Sequence, residues 1–162
     1  MTDFENAVAV MNTLFGKDQI FALSTCSNNR PSARFVDAYF DGESFYIVTN
    51  KLTKKVSEIL DNPNVSLCSN KMYSFDGQAV DLGHPLKEEN AGLRDILTKV
   101  FKTWYFRHCD ESDENMCYIR IDPTTGFFHK DGKGYRMNFT EKTVDSAPFK
   151  FDIMYPDQIP GE

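Results

Sequence analysis

Between Gln19 and Thr49, three runs of strand composition are divided by turn clusters too short to hold a crossover. Gln19 to Cys26 (QIFALSTC) is followed by the turn residues Ser27-Asn28-Asn29-Arg30-Pro31. Ser32 to Phe40 (SARFVDAYF) is followed by Asp41-Gly42, and Ser44 to Thr49 (SFYIVT) closes the set. Strands joined by so few residues pair antiparallel, because a parallel return needs a dozen or more residues. An antiparallel meander therefore opens the fold. The aromatic content of 14%, with 14 Phe and 7 Tyr, suits it, since flat rings pack well on a pleated surface.

The flanking sequence adds helices and further strands. Phe4, Val8, Met11, Leu14 and Phe15 fall at helical spacing over Asp3 to Phe15, with Gly16 as a stop. Thr53 to Leu60 is a short helix with Val56, Ile59 and Leu60 inward, ended by Asn62-Pro63. Asn64 to Asn70 and Met72 to Leu82 are strands. Pro85 starts a longer helix through about Arg107, carrying Leu93, Leu97, Val100, Phe101 and Trp104 as its apolar stripe. After an acidic loop, Met116 to Asp122 is a strand, and Thr125 to Lys130 pairs with Tyr135 to Phe139 across Asp131-Gly132-Lys133-Gly134. The expected architecture is mainly β: one antiparallel barrel of six to eight strands with two or three packed helices. Residues 1–145 form this domain. The tail 146–162, with Pro148, Pro156 and Pro160, runs over the surface or a partner subunit.

Composition excludes several function classes. With 162 residues the chain is one domain, large enough for a real core. A net charge of −6 provides no general field for gathering a nucleic acid. The apolar runs fall short of the roughly 20 residues a membrane helix needs. The acidic start Met1-Thr2-Asp3-Phe4-Glu5 lacks the basic flank of a signal peptide, so a cytoplasmic protein is expected. Cys26, Cys68, Cys109 and Cys117 contain no CxxC pair and read as free thiols; no metal site is expected. His84 reads as a turn or cap residue, His108 as a helix-end cation and His129 as structural, while Trp104-Tyr105 reads as packing.

The residues with chemical promise are cationic. Thr53-Lys54-Lys55 lies at a helix start, where unpaired N–H groups already carry partial positive charge. Two lysines there are unfavourable unless an anion docks, and a phosphate would use the N–H groups, the hydroxyl and the ammonium groups together. A solvated lysine pair is the plain alternative. Arg34 stands in the second strand, sharing a face with Val36 and Ala38, while Phe35, Asp37 and Tyr39 share the other. It is either exposed or bonded to an anion at the barrel wall.

Taken together, Phe21-Ala22-Leu23-Ser24-Thr25, Arg30 to Val36, Phe45 to Asn50, Thr53-Lys54-Lys55 and Asn62 to Leu67 resemble the pyridoxamine 5′-phosphate oxidase-like, FMN-binding split-barrel family. Phe75-Asp76-Gly77-Gln78-Ala79 extends the resemblance, which is good from about Gln19 to Leu82 and looser through Phe139. It implies a split-barrel homodimer with FMN in clefts between subunits. Arg34 and Lys55, with Thr53 and Lys54, would hold the FMN phosphate. Phe35, Val36 and the strand end Val48-Thr49-Asn50 would line the isoalloxazine and offer backbone hydrogen bonds to its pyrimidine edge. Tyr39 stands where the family's pyridoxamine phosphate oxidases carry a lysine, and the C-terminal segment lacks their arginine- and histidine-bearing motif. Vitamin B6 oxidation is therefore not expected.

The resulting expectation is an FMN-dependent oxidoreductase passing hydride or electrons to or from a small substrate: a nicotinamide cofactor such as NAD(P)H, a quinone or an electrophile. No catalytic side chain is assigned. The alternatives are a non-catalytic FMN-binding sensor, carrier or redox buffer, and a dimeric interaction domain that has lost the flavin.

Overall fold

Asn28 and Asn29 take φ values of 50° and 59°, which Asn tolerates better than most residues. Two consecutive positive-φ residues make the tight hairpin turn whose twist matches that of the strands it joins. The computed structural model, which describes residues 1–150, therefore starts β2 (Arg30–Phe40) directly after β1 (Gln19–Ser27), earlier than the predicted Ser32. Before them runs α1 (Asp3–Phe15), started by a capping box between Thr2 and Glu5. After them come β3 (Phe45–Asn50), α2 (Lys54–Asp61), β4 (Asn64–Cys68) and β5 (Ser74–Gly83). A short 3₁₀ turn (Glu88–Asn90) leads to α3 (Ala91–Val100), α4 (Tyr105–His108), β6 (Met116–Lys130), β7 (Lys133–Asn138) and β8 (Thr143–Pro148).

The eight strands form one antiparallel sheet in the order β3-β2-β1-β4-β5-β6-β7-β8, and β6 also pairs with β3. Six strands thereby close into a barrel, as the mainly β split-barrel expectation required, and β7 and β8 extend it. Phenylalanines fill the interior. Phe15 from α1 stoppers one end and meets Phe21, Phe75 and Phe128, while Phe45 sits 4.9 Å from Phe40 and 5.0 Å from Phe75 between ring centres. A second apolar cluster lies outside the barrel. There Leu97, Phe101 and Tyr105 from the α3–α4 region cover Met116 and Tyr118 of β6.

Four local expectations are corrected. Met116 to Lys130 is one strand of 15 residues, not two. Its chain passes through Pro123 because the β5–β6 register shifts at Asp76/Gly77; a side chain on Gly77 would meet the Asp122 carbonyl oxygen at 2.4 Å. The long helix expected from Pro85 to Arg107 starts only at Ala91, after a turn at Pro85, and is broken at Phe101–Trp104, since packing Phe101, Trp104 and Tyr105 on the same wall redirects the chain. Leu60 is 68% exposed instead of inward: the buried arc of α2 runs through Lys55, Val56, Glu58 and Ile59, and Leu60 lies past its edge. β8 was not expected, and Ser146 to Pro148 finish it instead of starting a tail; residues 151–162 of the expected tail lie outside the described residues.

Candidate functional site

The barrel wall has a split. β2 and β3 pair only at Tyr39↔Tyr46 and Phe40↔Phe45, so among the described residues Ile47 to Asn50 bond to β6 on one side and face no strand on the other. Along the same gap, β2 from Arg30 to Ala38 pairs with β1 and with no other described strand. Backbone donors and acceptors on both strands are thus left at an edge.

α2 begins at this gap. Asn50 turns the chain into it: its amide donates to Asp113 Oδ2 at 2.7 Å, and its side-chain oxygen accepts from the Leu52 N–H at 2.9 Å. Thr53 has the extended backbone of an N-cap, yet its hydroxyl donates to the Asn50 carbonyl at 2.7 Å, and no described side chain caps the helix. Uncapped N–H groups and two lysines therefore stand together, with no acidic residue in the first turn. Lys55 is half-buried and donates to Thr49 Oγ1 at 2.9 Å; burial, then the charge of Arg34, lowers its pKa. Lys54 reaches outward into solvent.

Arg34 sits opposite Leu23 on the barrel's inner face, where Val36 and Ala38 follow it inward. Its Nη1 donates to Thr25 Oγ1 at 2.6 Å and the Leu23 carbonyl at 3.3 Å, and its Nη2 donates to Glu58 Oε2 at 2.9 Å. Glu58, a residue that sequence reasoning passed over, is buried at the centre of the cluster. It accepts from the Thr25 hydroxyl at 2.5 Å and the Ser32 hydroxyl at 2.9 Å, and Lys54 Nζ lies 3.5 Å away. The Thr25 hydroxyl, joined by Ser32, Arg34 and Lys54, holds its carboxyl ionised, with the pKa pushed down to about 2. The available signal was an acidic residue four positions after Lys54 and flanked by the inward Val56 and Ile59. Three cations against one carboxylate leave the cluster two positive charges in excess.

The other expected residues divide between faces. Phe35 points outward from β2 and is 79% exposed, beside the equally outward Ile20 of β1. Val48 turns to the outer helical cluster, whereas Thr49 turns to Lys55. Arg34, Val36, Thr49, Thr53, Lys54 and Lys55 therefore gather on the α2 side of the split, and Phe35 stands across β2 from them. His84 is a turn residue as expected: its Nδ1 accepts the Leu86 N–H and its Nε2 contacts the Asp113 carbonyl. His129 is in β6, bonded to the Lys71 carbonyl, and His108 ends α4. Burial pushes the Cys117 thiol up to about 11, which leaves it a poor nucleophile.

Residues 8–130 match the family model described as pyridoxamine 5′-phosphate oxidase. General stress protein 26 of Bacillus subtilis is 29% identical over 108 residues, covering 65% of this chain and 75% of that protein. Its counterpart from Bacillus anthracis superposes with a TM-score of 0.57 at 23% identity, over 75% of this chain and 92% of that one. A structure from Nostoc punctiforme, described as a pyridoxamine 5′-phosphate oxidase-related, FMN binding protein, superposes with a TM-score of 0.55 at 13% identity, over 93% and 98% of the two chains.

Proposed function

Since the chain belongs to the pyridoxamine 5′-phosphate oxidase family, we propose that it binds FMN at the barrel split and acts as a flavin-dependent oxidoreductase on a small substrate other than a B6 vitamer. The observation that carries this reading is the two-charge excess at the start of α2, beside the open strand edges. A phosphate monoester brings about −1.5 to −2 charge near neutral pH, so one such group balances the cluster. Lys55, Lys54, Arg34, the Thr53 region and the first N–H groups of α2 hold the phosphate. The open edge at Val48 and Thr49, ending at Asn50 whose carbonyl is already taken by Thr53, supplies hydrogen bonds to the pyrimidine end of the ring, with Val36 beside it. Phe35 lies on the opposite face of β2, so the ligand must follow the strand edge and bring its ring round to Phe35. A second copy of the chain covers Phe35 and Ile20 and completes the cleft.

A bound flavin supplies the hydride-accepting chemistry; the chain's part is to position it and keep water from the ring. Lys55, made less basic by burial and by Arg34, becomes more basic again when an anion docks beside it. Titration of purified protein with FMN, followed by flavin fluorescence, tests the reading. The expected result is saturable binding that Arg34→Ala with Lys55→Ala weakens by at least tenfold, roughly the effect of losing two charge-assisted contacts. Unchanged binding in that double variant would refute the phosphate site. Anaerobic bleaching of the bound flavin by NADH or NADPH then separates an enzyme from a carrier. The carrier reading draws on one observation: Glu58, the carboxylate at the cluster's centre, is held ionised and hydrogen-bonded, hence unsuited to proton transfer.

A further inference from the structure

Three described arginines pair with a carboxylate, and they do so by different edges of the guanidinium. Arg94 gives Nε and Nη2 to the two oxygens of Glu111 at 2.7 and 2.8 Å. Arg120 gives the same edge to Asp122 at 2.8 and 3.0 Å. Arg34 does the reverse. It engages Thr25 and Glu58 through Nη1 and Nη2, the end of the fork. No described residue accepts from its Nε, and the side chain remains 22% exposed. Nε and the second N–H of Nη2, the pair that matches a carboxylate or phosphate in two parallel hydrogen bonds, have no described acceptor.

We propose that Glu58 is a positioning residue for anion recognition: it grips Arg34 end-on, so that the Nε–Nη2 edge is presented to the phosphate of the flavin. The inference rests on the flavin reading above and adds to it the residue that sets selectivity for the phosphorylated form. The grip is built to last. Glu58 also accepts from Thr25 and Ser32, two residues on the neighbouring strands β1 and β2, so its carboxylate is fixed to the wall that carries Arg34. A free arginine has many rotamers, and holding one of them in advance removes that ordering cost from binding. The negative charge of Glu58 is the drawback, because it offsets part of the attraction that Lys54 and Lys55 exert on an incoming anion.

Geometry and charge can be varied separately at this position. Glu58→Asp keeps the charge and retracts the carboxylate by one methylene, loosening Arg34. Glu58→Gln keeps an acceptor within reach of Arg34 and removes the charge. Affinities for FMN and for riboflavin, which lacks the phosphate, are measured for each by fluorescence titration. The expected result is that Glu58→Asp loses about tenfold in FMN affinity with riboflavin unchanged, while Glu58→Gln binds FMN at least as tightly as the native protein. Thr25→Val, which removes the other acceptor at the end of the fork, shifts the FMN-to-riboflavin ratio in the same direction as Glu58→Asp and serves if that variant fails to fold. An equal loss of both ligands in Glu58→Asp, no loss at all, or a parallel loss in Glu58→Gln overturns the positioning role. Native protein that binds neither ligand overturns the flavin reading itself.

Discussion

Asp37 and Asp18 approach one another where β2 passes the start of β1, and one oxygen of Asp18 is buried without a donor from any other described residue. Burial, then the bond to and charge of Asp18, raises the Asp37 pKa to about 6. A proton on Asp37 relieves the repulsion between the two side chains. The folded state holds this proton more tightly than the unfolded chain does, so its stabilising contribution is complete below about pH 4 and is lost as the pH rises through about 6. Asp37→Asn is therefore expected to raise Tm at pH 7 by roughly 2 °C and to flatten its slope between pH 4 and 6, as followed by thermal denaturation across that range. The single tryptophan adds a local reporter: Trp104 Nε1 donates to the other Asp18 oxygen at 2.9 Å, so its fluorescence should titrate in the native protein and not in the variant. Glu58 acts in a different window. Its lowered pKa gives stability that is present above about pH 4.5 and fades as the pH falls towards 2. At this scale the sequence disclosed the cations and hid their counter-charge. Arg34, Lys54 and Lys55 stand out against apolar neighbours, but Glu58 resembles any solvated helix glutamate until the barrel brings Thr25 and Ser32 to it.

At the level of elements, local patterns identified what local chemistry determines. Helix α1 runs over the predicted residues because its cap, stripe and stop are all nearby in sequence. The interrupted helix was not legible, since its break follows from packing Phe101, Trp104 and Tyr105 against β6, a strand that comes later in the chain. Tyr105 OH lies 2.5 Å from Tyr118 OH in β6 and donates to Glu111 at 3.0 Å, and Glu111 is gripped by Arg94 of α3. These bonds attach the α3–α4 region to the barrel wall. Tyr105→Phe leaves the Tyr118 hydroxyl short of a partner, removes one of the two bonds to Glu111 Oε1, and should cost roughly 1–3 kcal/mol in denaturant unfolding. Adding Tyr118→Phe removes the stranded hydroxyl as well, so the double variant should be less destabilised than the sum of the two singles. Strand β8 escaped notice for a related reason. Thr143 to Pro148 (TVDSAP) has little strand composition, and its pairing with β7 is what defines it.

For the whole molecule, the aromatic content pointed to the right interior: Phe15, Phe21, Phe40, Phe45, Phe75 and Phe128 are all buried in one core. Phe35 and Phe106 are exposed instead, and composition could not single out the one on the barrel wall, Phe35. A large ring 79% exposed on a strand, next to Ile20 at 63%, is the surface expected to meet a second copy. In sedimentation, the native protein is expected to run as a dimer and Phe35→Asp as a monomer. The same variant should bind FMN at least tenfold more weakly although Arg34 and Lys55 are untouched, because half of the cleft is gone. Native protein sedimenting as a monomer would count against the shared cleft.

The long strand β6 also determines how the chain would respond to tension. Its first six residues, Met116 to Ile121, are paired with β3, and β5 pairs with Tyr118 to Ile121 on the other side; its last six, Thr125 to Lys130, are paired with β7. Drawn from the C-terminal end, β8 and then β7 lie at the margin and can peel away a few hydrogen bonds at a time. The pull then reaches a segment clamped on both flanks, where many bonds must fail together. A force–extension trace should accordingly show a low, early release of the two outer strands, followed by one high barrier as the barrel gives way.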